Sequence, residues 1–285
     1  MPRIPGGGYM DQTSKPDLPV GRGQYDANYG NFQVELYEQI RRDAFGEDIG
    51  QNSWLTAAEQ DRFMNWLELS PSKTLLDVAC GAGGPALRIA AATGCSVAGV
   101  DVHDQAISTA RSLAAQRGLS PRAGFRVVNA AEQLPFPDAS FDAFTCIDAI
   151  NHLPNRRRVM EDWARLLKPG GRLLFTDPIT VTGPLTNTEI SIRSSASFYL
   201  FVPLGYDEDM IVQCGLRLLI FEDITRNMAE IAERRMDARA SRSSALREVE
   251  GDQGYQEQQE FFATAARIAK EARLSRFVYV GEKPR

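Results

Sequence analysis

The sequence predicts an α/β fold built on an open, doubly wound sheet of seven strands, and three observations support that prediction. Short apolar runs alternate with helical segments from residue 72 onwards, the pattern of parallel strands joined by right-handed helical crossovers. Glycines follow three of these helical segments, at Gly94, Gly118 and Gly170, where they can end a helix. Hydrophobic residues make up 43% of the 285 residues and charged residues 24%, as in an ordinary soluble protein with a full core.

The elements follow in order along the chain. Residues 1–31 are rich in Gly and Pro and predict a flexible N-terminal arm. Helices are predicted at 32–45 and 56–69, and Thr56 with Glu59 makes a capping box at the start of the second. Buried strands and helices then alternate: strands at 72–80, 95–102, 125–130, 141–150 and 172–177, and helices at 84–94, 104–118 and 155–167.

The alternation loosens after Asp177. Residues 178–205 show no clear period, and a helix and a sixth strand are predicted within 206–225. Residues 226–272 predict two long helices, 227–250 and 255–272, and a seventh strand closes the chain near 274–282. We therefore predict a cofactor-binding core at 32–177, completed by 206–225 and 274–282. Two insertions, 178–205 and 226–272, would form a lid at the carboxyl edge of the sheet, where ligands of such sheets bind; dimer-forming helices are the alternative.

Composition limits the function. The 37 acidic and 32 basic residues give a net charge of −5, which disfavours a broad nucleic-acid surface. No apolar run approaches the length of a membrane span, and the N-terminus lacks the apolar core of a signal peptide. We therefore expect a cytoplasmic protein. The four cysteines form no C-x-x-C pair and there are two histidines, so neither a metal site nor a disulfide framework is expected.

A glycine-rich turn after the first strand is the strongest motif. Residues 75–84 read LLDVACGAGG, and such a turn lets the backbone approach a ligand closely. Taken alone, it also fits the dinucleotide-binding pattern. Asp77, four residues before Gly81, would repel a pyrophosphate but suits an amine. Asp101 ends the next strand, twenty residues after Gly81, where an acid can accept both ribose hydroxyls. Together they describe a nucleoside with a charged amino tail.

Three segments now carry a resemblance to a known family. The glycine-rich turn, the run NAAEQLPFPDASFD at 129–142 and LLKPGG at 166–171 resemble class I S-adenosylmethionine-dependent methyltransferases of the ubiquinone/menaquinone-biosynthesis type. The resemblance covers roughly residues 70–180. Gly84-Pro85-Ala86 and DAINH at 148–152 are similar to sarcosine/dimethylglycine methyltransferases. A Rossmann-like methyltransferase fold is thereby implied, with the seventh strand antiparallel beside the fifth.

The resemblance also implies S-adenosyl-L-methionine as cofactor, S-adenosyl-L-homocysteine as its product and a small-molecule methyl acceptor. Asp77 would help to hold the amino group, Asp101 the ribose, and Val102 would lie against the adenine. The implied cofactor-binding residues are Asp77, Ala79, Cys80, Gly81, Gly83, Asp101, Val102, Ala131, Glu132 and Asp148. The family usually has Asp where this chain has Ala130, which leaves the adenine amine to a backbone group, a water or Glu132.

Candidates for chemistry lie beyond the fourth strand. Methyl transfer needs a nucleophile aligned with the methyl group, and a hydroxyl acceptor profits from a general base. Asp148 and His152 are the candidate catalytic residues, with a turn cap and a packing histidine as the alternatives. Arg193 is a candidate for pairing with a substrate carboxylate or phosphate, against a surface arginine beside core aromatics.

Three further predictions concern single residues and the function. Tyr199 beside Arg193, and Tyr25 in the arm, are the other candidate substrate contacts. Arg156 is predicted to be solvated at the start of a helix. The first functional hypothesis is methyl transfer to N, O or C of a small metabolite. The alternatives are a nicotinamide-dependent oxidoreductase and a non-catalytic nucleoside-binding protein on the same fold, and a homodimer is left open.

Overall fold

The computed structural model describes residues 29–30, 32–195 and 197–285. The strands in this part of the chain are β1 (Thr74–Val78), β2 (Ser96–Asp101), β3 (Ala123–Val127), β4 (Phe141–Cys146), β5 (Leu167–Val181), β6 (Val202–Pro203), β7 (Arg217–Asp223) and β8 (Leu274–Glu282). They form one sheet in the order β3-β2-β1-β4-β5-β8-β7, and β6 pairs with the end of β5. The neighbours from β3 to β5 are parallel.

Helices cover the sheet and extend beyond it. Those in the described residues are α1 (Glu35–Phe45), α2 (Ala57–Leu67), α3 (Gly84–Thr93), α4 (Asp104–Gln116), a 3-10 turn (Ile150–His152), α5 (Arg156–Leu166), α6 (Asn187–Arg193), α7 (Tyr206–Gln213), α8 (Thr225–Ala240) and α9 (Ser243–Lys270). The predicted capping box forms at the start of α2, where Thr56 and Glu59 satisfy each other's backbone N–H groups. Within the described residues, no helix combines the length and the apolar composition that crossing a bilayer requires.

The doubly wound sheet confirms the predicted fold class, and its seven main strands are joined by an eighth, the two-residue β6, that the sequence pattern did not predict. Leu75, Leu76 and Val78 of β1 are buried on both faces, as expected for a parallel strand covered by helices. β8 lies antiparallel between β5 and β7, which is the arrangement that the family resemblance implied. Polar side chains at the carboxyl ends of β1, β2 and β4 therefore share one edge of the sheet, where the candidate site lies.

The fifth strand is longer than predicted. It continues through Val181, so residues 178–181 extend the sheet and the first insertion begins after them. Pro178 interrupts the sequence pattern because it has no N–H to donate, and the pairing with β8 shifts register between Asp177 and Thr180. Ile179 beyond it is fully buried. The apolar pattern therefore resumes after a bulge that we had read as the end of the strand.

The long helices break at the expected place and at a second place that we did not expect. The expected break between residues 250 and 255 falls at Gly251, whose backbone is not helical, and the chain also turns at 241–242. Gly251 has a φ of 75° and kinks α9 there, because glycine tolerates the left-handed region. The long helices pack against α1 and Trp54 through a buried cluster that includes Phe45 and Phe262. The second insertion is thereby joined to the core.

Candidate functional site

The glycine-rich turn bends the chain sharply between β1 and α3. Ala79, Gly81 and Gly83 all have positive φ, at 56°, 54° and 77°. The carboxylate of Asp101, at the end of β2, holds the bend: Oδ2 accepts the Gly81 N–H at 2.8 Å, and Oδ1 accepts the His103 N–H at 3.0 Å. Each oxygen of an ionised carboxylate has a second acceptor position. Asp101 can therefore hold this turn and accept two hydroxyls of a ligand at the same time.

The two glycines of the turn face different surroundings. A Cβ at Gly81 would lie 2.8 Å from the hydroxyl of Tyr29, whose ring also lies 5.4 Å from that of His103. A Cβ at Gly83 would lie 2.8 Å from the Cβ of Ala110 and 3.0 Å from the Phe125 ring. Gly81 therefore borders the open side of the turn, whereas Gly83 lets α3 pack closely on its neighbours.

A cavity of about 330 Å³ opens above this turn; we call it the first cavity. Most of the predicted cofactor residues and both candidate catalytic residues, Asp148 and His152, line it: Asp77, Ala79, Cys80, Gly81, Asp101, Val102, Ala131, Asp148 and His152. Gly83 and Glu132 are not among its lining residues. Ala130 and Asn129 do line it, at the position where the family usually has an acid. Tyr25 lies outside the described residues.

Asp77 gives the first cavity a buried carboxyl group. The Thr145 hydroxyl donates to its Oδ1 at 2.8 Å, and burial, with a contribution from the charge of Asp101, raises the pKa of Asp77 to about 7. A bound cation would favour the ionised form of such a group. With Asp101 and the bend at Gly81, this arrangement fits a nucleoside that carries an ammonium group.

Asp148 lies at the edge of the first cavity in a left-handed conformation, with φ 52°. Its Oδ2 accepts the N–H of Trp54 at 2.9 Å, and its Oδ1 accepts the Thr176 hydroxyl at 2.7 Å. The same Oδ1 pairs with Nε of Arg276 at 2.7 Å, and Nη1 of Arg276 reaches Glu59 at 2.9 Å. We call these residues the Asp148 network. It fixes the turn that leads to His152, and a direct catalytic role for Asp148 stays a prediction.

His152 ends the 3-10 turn that follows β4, and its side chain is half-buried in the wall of the first cavity. Its Nδ1 lies 2.9 Å from the carbonyl oxygen of Phe198, and its Nε2 lies 3.3 Å from the Asn151 amide nitrogen. A neutral ring that donates from Nδ1 has an acceptor at Nε2. Burial lowers the pKa of His152 to about 4, so the ring is neutral at pH 7. The Tyr199 ring stands edge-on to it at 4.7 Å.

A second, smaller cavity of about 70 Å³ adjoins the first; we call it the second cavity. The two share Asn52, Ser53, Asp148 and His152 in their linings. The insertions supply most of the rest, namely Arg193, Tyr199, Arg235, Gln258, Phe261 and Phe262. The structure thus brings the predicted Arg193 and Tyr199 to the same small space as His152.

Arg156 is buried, and our prediction of a solvated side chain was wrong. Its Nη1 lies 2.5 Å from Asp177 and 3.0 Å from Asp207, while its Nη2 donates to the Leu200 carbonyl at 2.9 Å. Burial and the neighbouring Asp177 raise the pKa of Asp207 despite the guanidinium. One cation therefore ties α5, β5, α7 and the end of the first insertion together; we call this group the Arg156 junction.

Several residues of the site escaped the sequence analysis. Asn52 and Ser53 sit in a loop with no recognisable motif. Arg235 carried a signal, because it follows the buried Ile231 by one helical turn while Arg234 beside it is exposed. Arg276 lies within an apolar strand, and a charged residue in such a run indicates a buried partner. That partner, Asp148, is far away in sequence.

Comparison with known proteins adds sequence relatives. A family model described as a methyltransferase domain matches residues 76–175. The 27-O-demethylrifamycin SV methyltransferase of Amycolatopsis mediterranei is 33% identical over 174 residues, 58% of this chain and 60% of that protein. The O-methyltransferase rstn1 of Aspergillus nomiae is 34% identical over 152 residues, 53% of this chain and 67% of that protein. The chain spans 60%, 45% and 63% of the length of three curated relatives.

Solved structures share the fold at low identity. A protein of Galdieria sulphuraria described as a sarcosine dimethylglycine methyltransferase has a TM-score of 0.75 at 19% identity, over 91% of this chain and 98% of that one. A phosphoethanolamine N-methyltransferase of Haemonchus contortus, solved with phosphomonomethylethanolamine and S-adenosylhomocysteine, has a TM-score of 0.77 at 19% identity, over 92% of this chain and 60% of that one. At this identity the similarity establishes the shared fold.

Proposed function

The chain belongs to the S-adenosylmethionine-dependent methyltransferases, and we propose that it methylates a hydroxyl oxygen of a small molecule. One observation carries the choice of oxygen. His152 lies in the wall common to the two cavities and is neutral at pH 7, and its Nε2 is a hydrogen-bond acceptor that the Asn151 amide nitrogen approaches to 3.3 Å. A hydroxyl in the second cavity would donate to this nitrogen in place of the Asn151 amide, with its oxygen directed towards the first cavity.

The first cavity would hold the cofactor, which supplies a methyl group on a positively charged sulfur when bound. Asp101 would accept the ribose hydroxyls, because its two oxygens are already oriented by the N–H groups of Gly81 and His103. Asp77 would accept the ammonium group, which compensates its unfavourable burial. Gly81 would let the backbone lie against the ligand, because it lines the first cavity without a side chain.

His152 would orient the acceptor and then take its proton. With a pKa of about 4 the imidazole is a weak base, so we do not expect it to ionise the hydroxyl beforehand. The hydroxyl becomes strongly acidic while its oxygen forms a new bond, and even a weak base then accepts the proton. An amine would not need this step, since it only has to arrive neutral. The names of two relatives, both O-methyl transferring enzymes, also favour oxygen.

The test uses methyl-labelled S-adenosylmethionine and a panel of small hydroxyl and amine compounds, with the labelled product identified by mass spectrometry. We expect label on oxygen with the wild-type chain and loss of labelling in Asp101→Ala. Label on nitrogen or carbon alone would reject the oxygen assignment. Tight NADH binding without affinity for S-adenosylhomocysteine would instead favour the oxidoreductase alternative. Binding of the cofactor without any transfer across the panel would favour a non-catalytic protein.

A further inference from the structure

We infer that the second cavity recognises a second hydrogen-bond donor of the methyl acceptor, a hydroxyl or an amino group next to the methylated hydroxyl, and that Asn151 binds it. The inference rests on the proposed function, because it assigns the second cavity to the methyl acceptor, which we call the substrate. It follows from an unsatisfied oxygen of Asn151, from the orientation of its side chain and from its place beside His152.

Asn151 carries a buried oxygen that the protein does not satisfy. It is the middle residue of the 3-10 turn Ile150–His152 and is fully buried. Among the described residues, none donates a hydrogen bond to its Oδ1. A buried carbonyl oxygen without a donor costs free energy, because it has lost the water that solvated it in the unfolded chain. Asn151 lines the second cavity, so a molecule in that cavity can supply the missing donor.

The neighbouring groups fix which atom of the amide is left unpaired. The carbonyl oxygen of Phe198 lies 2.9 Å from Nδ1 of His152, so the neutral ring carries its hydrogen there and Nε2 is an acceptor. The amide nitrogen of Asn151 approaches that acceptor to 3.3 Å. The Leu200 N–H donates to the main-chain oxygen of Asn151 at 2.8 Å, which holds the turn itself. A rotation of the amide would bring its oxygen against Nε2, and two acceptors would then meet, so Oδ1 remains the unpaired atom.

The position of Asn151 relates the second donor to the methylated hydroxyl. In the proposed function that hydroxyl donates to Nε2 of His152, and Oδ1 belongs to the carboxamide whose nitrogen lies 3.3 Å from the same Nε2. The two hydrogen-bond acceptors are therefore close neighbours. A substrate that donates to both must carry its donors on adjacent or nearly adjacent atoms, as a vicinal diol, a catechol or an amino alcohol does. Trp54, Phe261 and Phe262 add apolar walls, which favour a flat substrate such as a catechol or a 2-aminophenol.

Recognition of this kind depends on the hydrogen and not on the atom that carries it. A group that only accepts hydrogen bonds would present a lone pair to Oδ1 and leave it unpaired. A pocket built to bind a substrate O–H or N–H therefore rejects an analogue that lacks it more strongly than it rejects a small change of apolar shape. The same rule should end the reaction after one transfer, because a singly methylated diol keeps one donor for two acceptors.

The experiment is a calorimetric titration of the full chain saturated with S-adenosylhomocysteine, under nitrogen to protect the probes from oxidation. Catechol, 2-aminophenol and 2-fluorophenol are the probes, and fluorine is close to a hydroxyl in size but donates no hydrogen bond. We expect about tenfold or tighter binding of catechol, 2-aminophenol or both relative to 2-fluorophenol. Asn151→Leu, of similar shape, should remove most of that preference, whereas Asn151→Asp keeps an acceptor and should retain it. Asn187→Leu is the matched control, because Asn187 begins α6 with an exposed side chain.

Four results decide the inference. Equal binding of the three probes, no binding of any of them, or a preference that survives Asn151→Leu overturns it. A loss of preference in Asn151→Asp as large as in Asn151→Leu also overturns it, because the shape of the side chain and not its acceptor would then matter. If catechol alone or 2-aminophenol alone binds tightly, the inference holds and the result tells O–H from N–H. If Asn151→Leu fails to fold, Asn151→Ala replaces it with the same expected loss.

The outcomes also separate this inference from the proposed function. Failure of the initial saturation with S-adenosylhomocysteine contradicts the cofactor assignment, and the probes are then titrated without it, so the preference for a second donor is judged alone. Transfer of the methyl label to nitrogen rejects the proposed oxygen, whereas a preference that disappears in Asn151→Leu still supports the role of Asn151.

Discussion

The two adjoining cavities are built in different ways. The first cavity depends on main-chain geometry within a short stretch, where Ala79, Gly81 and Gly83 have positive φ and a carboxylate from the next strand accepts the Gly81 N–H. The second cavity depends on side chains from the loop before α2, the turn after β4 and both insertions. A site made by the backbone of the sheet tolerates few changes, whereas a site made by side chains on separate elements can change one element at a time. We therefore expect cofactor recognition and acceptor recognition to be separable by mutation.

The largest expected effect concerns His152, in the wall that the two cavities share. His152→Ala should lower the rate of O-methylation by about 100-fold or more, because an oriented proton acceptor is lost. The affinity for S-adenosylhomocysteine should change less than about threefold, since the first cavity keeps its acids and its bend. The rate is measured by product formation and the affinity by calorimetry. A large loss of affinity would mean that the two cavities act as one.

The next effect belongs to the first cavity alone. Asp101→Ala should weaken S-adenosylhomocysteine binding by roughly 10- to 150-fold, the equivalent of about 1.5–3 kcal/mol for hydrogen bonds to a charged group. Once the variant is saturated with S-adenosylhomocysteine, its affinity for ligands of the second cavity should equal that of the wild type. Asp104→Ala, at the exposed start of α4, is the matched control. Wild-type affinity in the Asp101 variant would contradict the ribose assignment.

A smaller effect comes from pH. Burial raises the pKa of Asp77 to about 7, and an ammonium ligand binds the ionised form, so S-adenosylhomocysteine affinity should fall by up to about tenfold between pH 7 and pH 6. Titrations at pH 6, 7 and 8 measure the slope. Asp77→Asn should bind weakly at all three values and lose most of the slope.

The same group has a defined effect on folding. Its folded pKa of about 7 lies above the ordinary value of 3.8 for an aspartate. The protonated carboxyl therefore stabilises the folded state relative to the ionised one. This stabilisation is fully present below pH 4 and is lost as the pH rises through 7. Asp77→Asn should consequently be more stable than the wild type at pH 8 in the absence of ligand. A lower stability there would contradict the burial argument.

The smallest expected effect concerns stability and separates Gly83 of the bend from an unpacked glycine. Gly83→Ala should lower the free energy of unfolding by about 1–3 kcal/mol more than Gly118→Ala, because its Cβ would meet Ala110 and Phe125. Gly118 has a similar φ of 67° with open space around it, so the comparison isolates packing. Urea unfolding measures both. Equal losses would show that the left-handed conformation, not close packing, selects glycine at position 83.

Much of the first cavity could be predicted because its signals are local. The glycine pattern, Asp77 and Asp101 lie within 25 residues of one another, and parallel strands bring their carboxyl ends to one edge. Glu132, which the 129–142 segment had suggested as a cofactor contact, does not line the cavity. The spacing of motifs along the chain predicts which loop borders the cavity. It does not predict which side chains of that loop point into the cavity.

The second cavity could be predicted only in part. Arg193 and Tyr199 were candidates through residue type, but Arg235 and Trp54 come from segments whose meeting depends on how the insertions pack. Arg156 was misread because a run of three arginines at a helix start is usually solvated. The sequence predicts Asp177 at the end of the fifth strand. The contacts of Arg156 with Asp207 and the Leu200 carbonyl could not be predicted, because they depend on how the first insertion folds.

The Arg156 junction also constrains how a methyl acceptor could enter. Leu200 is tethered to α5 by a buried guanidinium, and β6 pins the chain to β5 immediately afterwards. Residues 200–213 should consequently stay in place. The preceding helix α6 is held as well, because Glu189 pairs with Arg267 and Arg273 at 2.8 and 2.6 Å. A methyl acceptor should therefore enter without a large movement of the first insertion.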